Sequence, residues 1–189
     1  MQRRKRYSCV TFSSDGRFFK GNTFQRVAEA KISGRSPAVN NKTKRGGKKM
    51  DSKATTVLIS IHPKYVDLIS AGKKKIEFRK RSFSHPIKRF VVYSTAPVSK
   101  VVGFFDVDSI VCDSPQKLWE TYAAVGGIEQ NDYFDYYANK SMAVGIRIKN
   151  YTPLSNSFNI KMLNTTPPQS YKYLTDREFD LVRDLGKIG

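Results

Sequence analysis

Cysteine and histidine are nearly missing from this chain: Cys9 and Cys112 lie far apart, and His62 and His85 belong to no cluster with them. That scarcity excludes a disulfide-stapled scaffold and a His/Cys metal centre, and it sets the expectation of reduced thiols, a cytoplasmic setting, no metal and no cofactor. No apolar run approaches the ~20 residues of a membrane-crossing helix. The basic start Met1–Arg6 is followed by polar, interrupted sequence instead of the apolar core of an export signal, so neither insertion nor export is expected. There is no internal repeat, no phosphate-cradling glycine loop, no nucleophile elbow and no His–carboxylate pair. Acidic residues are the last shortage, 16 Asp and Glu against 34 Lys and Arg, for a formal net charge of +18.

What is present is one core's worth of apolar residues, 39% hydrophobic and 12% aromatic in 189 residues, and a charge that is unevenly spread. Residues 1–49 carry +12 and residues 50–189 only +6, yet residues 72–90 alone carry +7, with Glu77 their single acid. A localised basic surface on a nearly balanced body fits a polyanion, nucleic acid being the commonest, while a merely solubilising face is the plainer use. Residues 1–54 lack periodicity and hold the runs Arg3–Arg6 and Lys42–Lys49 around the loop signature Ser33-Gly34-Arg35-Ser36-Pro37. Two readings stay open for them: a flexible basic arm that adds phosphate affinity, or sequence upstream of a true start at Met50, since Arg-Gly-Gly-Lys-Lys before it is encodable by purine-rich codons resembling a ribosome-binding site. Either way the organised domain spans 55–189.

Within that domain Val57–Ile61 reads as a buried strand ended by His62-Pro63, and Pro63 opens a helix to about Ala71 with Tyr65, Val66, Leu68 and Ile69 on its apolar side. Lys88–Tyr93 and Val101–Asp108 are strands separated by the hydroxyl-rich loop Ser94–Ser99. Ser114 and Pro115 cap and start a helix, and a second short helix at 131–139 carries Tyr133, Phe134, Tyr136 and Tyr137, whose spacing favours core packing over base stacking. Met142–Lys149 alternates as a strand, the tail is mostly extended, and a last helix covers 176–185. Helices inserted between strands, not alternating with them, predict an α+β fold on a small, strongly bent sheet or barrel; a doubly wound parallel sheet is the alternative.

The focus is Ser70–Arg81. Gly72 sits where a helix end calls for the left-handed conformation, and Lys75-Ile76-Glu77-Phe78-Arg79 alternates so that Ile76 and Phe78 share one face and Lys75, Glu77 and Arg79 the other. A carboxylate among cations is either a binding surface or the charged edge by which sheets avoid aggregation.

Gly72-Lys73-Lys74-Lys75-Ile76-Glu77-Phe78-Arg79 resembles the Gly-x-Lys-x-x-Glu-x-Arg signature of ASCH domains, and the segments Ile59–Tyr65, Val92–Pro97, Val102–Val107 and Pro167–Leu174 are similar to the branch described as predicted transcriptional regulators with a PUA-like domain. The resemblance implies a PUA-like β-barrel with inserted helices over roughly 55–175, and a cleft for a base or nucleoside lined by Lys74, Glu77 and Arg79. Ser94 and Thr95 are added as a further wall. Lys73, Lys75, Lys80, Arg81, Lys88 and Arg89 are the candidates for nucleic-acid phosphates. One ASCH branch hydrolyses acetylated cytidine with a lysine at the position of Lys74 but a threonine at that of Glu77, and ribonuclease activity is known in others. Binding of RNA, in preference to DNA, or of a modified nucleoside is therefore set against hydrolysis by Lys74 and Glu77, with a protein-interaction module as a third class.

Overall fold

The computed structural model describes residues 55–187 and, before them, the backbone of two short strands, β1 (Val10–Phe12) and β2 (Phe18–Lys20), which pair antiparallel as a ribbon of their own. The rest of the basic arm, Met50 included, lies outside the described residues. Among the described residues, the body consists of β3 (Thr55–Ile61), α1 (Pro63–Ser70), β4 (Ile76–Arg79), β5 (Ile87–Ser94), β6 (Lys100–Asp113), α2 (Pro115–Gly126), α3 (Gln130–Tyr136), β7 (Ala143–Phe158), a 3-10 turn (Ile160–Leu163), β8 (Tyr171–Leu174) and α4 (Asp176–Gly186). None of these helices is long and apolar enough to cross a membrane.

Six strands form one mixed sheet in the order β4-β7-β6-β5-β3-β8, in which only β3 and β5 run parallel. A parallel pair needs a crossover, and here the crossover contains α1 and β4, which carries β4 to the far edge. The two longest strands bend the sheet. β6 and β7 span 14 and 16 residues, and their ladder shifts register between Val101 and Gly103, Asp106 and Val107, and Val107 and Ser109. Each bulge adds local twist, and Pro153, opposite Gly103, falls beside one of them, where a missing ladder donor is tolerated. The alternation of residues 142–149 thus marks only the first half of β7.

Curling brings the two edges of the sheet together. The chain after β4 reaches β8, where Tyr171 Oη donates to Ser82 O at 3.3 Å and Ser84 N–H donates to Tyr173 Oη at 3.1 Å. The barrel interior is filled by Val57, Ile59, Phe90, Val92, Phe105 and Ile146. α4 and the 3-10 turn cover the outer face through Leu58, Val91, Phe104, Phe179 and Val182. α2 and α3 cover β4 from outside, with Tyr133 and Tyr137 fully packed against Ile76 and Phe78. The expected α+β architecture, the Ser114 cap (Oγ accepting Lys117 N–H at 3.3 Å) and the left-handed Gly72 (φ 68°) are all present.

The expectation of reduced thiols needs correction, because Cys112 on β6 is disulfide-bonded; two cysteines so far apart in sequence carry no spacing signal for pairing. A bonded Cys112 carries no sign of a reducing compartment. Cys9 lies outside the described residues.

Gly145 makes a close approach to the site strand in this packing. It stands on β7 opposite Phe78, and a Cβ there would lie 2.6 Å from Ile76 Cδ1. Gly145→Ala is expected to destabilise the fold by about 1–3 kcal/mol through overpacking, read as a loss of about 2–4 °C in melting temperature per kcal/mol.

Candidate functional site

The site begins with the turn after α1. Pro63 occupies the first helical position and His62 Nδ1 accepts Lys64 N–H at 3.2 Å, so the helix starts firmly against the end of β3. At its other end the left-handed Gly72 folds the chain back, and the N–H groups of Lys73 and Lys74 both return to Leu68 O at 2.9 Å. This tight return turns Lys74 inward while Lys73 stays exposed. Lys75 N–H then donates to Val125 O and β4 begins. Its pairing with β7 sets Glu77 opposite Ile146 and Arg79 opposite Val144, on the face turned into the barrel. Ile76 and Phe78 point to the helices, as their alternation predicts.

Three charges meet there. Glu77 Oε1 is 3.1 Å from Arg79 Nη2 and Glu77 Oε2 is 3.5 Å from Lys74 Nζ; the Lys74 side chain is 2% exposed and that of Glu77 8%. Glu77 is therefore no solvated edge residue. Buried charges are costly unless paired and hydrogen-bonded, and the remaining donors are largely met. Lys74 Nζ donates to Gly126 O at the end of α2, and Arg79 Nη2 donates to Ser60 O at 2.7 Å, tying β4 to β3 across the barrel. Arg79 Nε is buried with no partner among the described residues. Burial pushes the Lys74 ammonium below its ordinary value of 10.5; Arg79 adds to that shift and Glu77 opposes it.

Above this cluster opens a cavity of about 280 Å³. Tyr65, Phe78 and Tyr136 supply aromatic walls, Ile61 and Ile128 aliphatic ones, and His62 and Asp132 stand among the polar lining. Lys74 Nζ lies 5.0 Å from the centre of the Tyr65 ring and 5.2 Å from that of Phe78, so the cation is framed by π faces as well as by Glu77. The arrangement offers an aromatic-walled slot with an acceptor (Glu77) and donors (Lys74, Arg79) among its lining. No group of three or more His, Cys, Asp or Glu among the described residues is placed to hold a metal ion.

The structure brings Lys74, Glu77 and Arg79 together and leaves Ser94 and Thr95 out. Ser94 is buried at the end of β5 and Thr95 N–H donates to Ile61 O, and neither lines the cavity. Of the proposed phosphate contacts, Lys73, Lys75, Lys80, Arg81 and Lys88 are exposed. Lys80 Nζ sits 4.3 Å above the Tyr136 ring at the cavity wall. Arg89 is placed differently: Nε donates to Asp106 Oδ1 at 2.7 Å and its guanidinium lies over Phe104 and Phe179, in the layer beneath α4. Sequence reasoning missed the walls. Tyr65 and Tyr136 read there as ordinary apolar helix positions, and nothing in the linear order marks Asp132 as a neighbour of Glu77.

Comparison with known proteins places these residues in context. The family model described as the ASCH domain matches residues 59–156. The ASCH domain-containing ribonuclease of Zymomonas mobilis is 30% identical over 127 residues, which cover 64% of this chain and 85% of the relative. The crystal structure of ASCH from Zymomonas mobilis superposes with a TM-score of 0.65 at 28% identity, over 69% of this chain and 95% of that one. The large ribosomal subunit protein uL22 of Ureaplasma parvum is 28% identical over 133 residues, 69% of this chain, although the match spans only 43% of that longer protein. With a domain model covering over half of its length and a ribonuclease relative matched along most of its own, this chain belongs to the ASCH domain family.

Proposed function

We propose that the protein binds RNA by taking one unstacked base into the cavity between α1, β4 and α3, while exposed cations around it hold the flanking phosphates. The observation that carries this reading is Glu77, fixed between Lys74 and Arg79 at the floor of an aromatic-walled slot. A carboxylate so held accepts N–H groups from a base edge, the adjacent cations donate to its carbonyl oxygens, and Tyr65 or Tyr136 offers a ring face, which is how unpaired bases are recognised. Lys73, Lys75, Lys80 and Arg81 surround this slot in sequence and are exposed. That the Zymomonas relative is named a ribonuclease favours RNA over DNA as the partner. A modified base is a finer possibility within the same slot.

Strand cleavage is a second reading, favoured by the relative's name and by the lowered proton affinity of Lys74. In it, neutral Lys74 takes the proton of a 2′-hydroxyl, and the 2′-oxygen attacks the adjacent phosphorus as the bond to the next nucleotide's 5′-oxygen breaks, leaving a 2′,3′-cyclic phosphate. The departing oxygen takes a proton from the Lys74 ammonium or from water, and Arg79 balances the developing negative charge. Hydrolysis of an acylated nucleoside would use the same lysine.

Glu77→Gln, which keeps the shape and removes the charge, is expected to weaken binding of a short oligoribonucleotide by about 1.5–3 kcal/mol, the worth of a hydrogen bond to a charged group, in a fluorescence titration. Glu77→Ala is a poorer probe, because stripping the carboxylate from two buried cations costs about 3–5 kcal/mol of stability. Wild-type protein incubated with RNA and with acetylated cytidine, followed by mass spectrometry, is expected to leave both intact. Turnover lost in Lys74→Met moves the protein to the second reading, and failure to bind any oligoribonucleotide sinks both.

The pH dependence separates the two readings by sign. If Lys74 acts as a cation, RNA binding weakens as pH rises through its lowered pKa, below 10.5, and Lys74→Arg moves that loss upward. If it acts as a base, turnover rises over the same window. Stability follows its own rule: the folded state binds fewer protons at Lys74 than the unfolded chain between the lowered value and 10.5, so through this group the fold gains stability as pH rises there. Paired binding and melting curves from pH 7 to about 10 measure both signs.

A further inference from the structure

Resting on that RNA-binding reading, we infer that the barrel seam running from the cavity to Tyr173 is a second subsite, and that the ligand is single-stranded RNA several nucleotides long, not an isolated nucleoside or a duplex. The seam has a linear order. Arg79 meets Ser60 at the cavity, Ser82 meets Tyr171 next, and Ser84 meets Tyr173 after it. The pairing of β3 with β8 confirms the direction, since Tyr171 stands opposite Ile59 and Tyr173 opposite Val57, stepping away from the cavity-lining Ser60 and Ile61. Two residues of strand advance about 6.6 Å, so the steps follow one line down the barrel.

Cations and rings alternate along this line. Lys80 lies over Tyr136 at the cavity wall, Arg81 follows it, exposed, on the chain leading to Ser82, and the rings of Tyr171 and Tyr173 stand 5.6 Å apart with His85 5.3 Å beyond. Tyr171 and Tyr173 are half-buried, their hydroxyl contacts with Ser82 and Ser84 lie at the surface, and His85 is exposed. The chain from Lys80 to Lys88 contains Lys80, Arg81 and Lys88 and no acid. A positive strip of surface bordered by half-buried aromatic rings suits a nucleic-acid strand with unpaired bases: phosphates meet the cations and bases meet the exposed parts of the rings. A duplex keeps its bases stacked on one another and has no use for the rings.

The test compares ligands of different reach on the full chain. A ribonucleotide monophosphate fills only the cavity, whereas an eight-nucleotide single strand also covers the seam. The octamer is expected to bind at least about 10-fold tighter than the monophosphate and more tightly than the same sequence as a duplex. Tyr173→Ala is expected to weaken octamer binding about 10-fold with monophosphate binding unchanged, while Tyr173→Phe, which keeps the ring and loses the Ser84 contact, retains it. Lys80→Ala with Arg81→Ala is expected to reduce the slope of log affinity against log salt by about 1.4 for the octamer. Equal affinity for octamer and monophosphate, or an octamer indifferent to Tyr173→Ala and to the double variant, overturns the seam and leaves the cavity reading standing. Octamer binding that depends on the seam but not on Glu77→Gln overturns the cavity reading and leaves the seam. Equal binding of the duplex overturns the assignment to single strands, and RNA that binds nowhere overturns both.

Discussion

A carboxylate buried between two cations is the constraint around which the domain is arranged. Each of the three charges, if left unpaired, would cost several kcal/mol to remove from water, so Glu77, Lys74 and Arg79 are tolerable only together. Their company fixes more than the site. Lys74 draws in the carbonyl end of α2 through Gly126, and Arg79 draws in β3 through Ser60. β4 and β8 are the two edges of the sheet and are not paired with each other. Closure therefore depends on side chains, with the charge cluster at one end of the seam and the Tyr171 and Tyr173 hydroxyl contacts further along.

The aromatic layer outside β4 gives that cluster its rigidity. Tyr137 Oη donates to Arg79 O at 3.0 Å, and Tyr133 Oη donates to Pro115 O at 3.0 Å, so α3 is bonded both to the site strand and to the start of α2. Burial raises the pKa of Tyr133 to about 12 and that of Tyr137 further, and both hydroxyls remain donors across the ordinary pH range. Between them these bonds hold the backbone of β4, and with it the Glu77 and Arg79 side chains, on rigid elements instead of loops.

How much of this was legible in the sequence follows from how local each signal is. The Gly72 turn, the Ser114-Pro115 helix start and the β4 alternation are decided by neighbours within a few residues, and the structure has them where the residues placed them. The inward turn of Lys74 was legible only through the resemblance to the family motif, because alternation begins after it. The far half of β7 was hidden by Pro153, whose ladder defect is absorbed by a bulge on β6, a strand forty residues away or more. The hydroxyls of Ser94 and Thr95 suggest a polar wall; the parallel pairing of Ser94 with Ile61 instead makes Ser94 the end of a core strand, and Thr95 follows it with its N–H on Ile61 O. By sequence Arg89 belongs with its basic neighbours, but alternation along β5 sends it to the α4 side, where Asp106 and two phenyl rings hold it. Tyr136 and Asp132 join the cavity through a tertiary packing of α3 that no spacing announces.

The cavity lining holds two cations, Lys74 and Arg79, and two carboxylates, Glu77 and Asp132, so these four charges sum to zero inside a chain whose formal charge is +18. Under the proposed reading, an electroneutral chamber in a strongly positive chain would sort a nucleotide by its parts. The heterocycle, which carries no net charge, can enter without leaving the chamber's charges unbalanced, while the phosphodiester is drawn to the cations outside. On that reading, polarity of entry would be built into the charge distribution: a base-first approach would be downhill, and a free anion would have little to gain from going in.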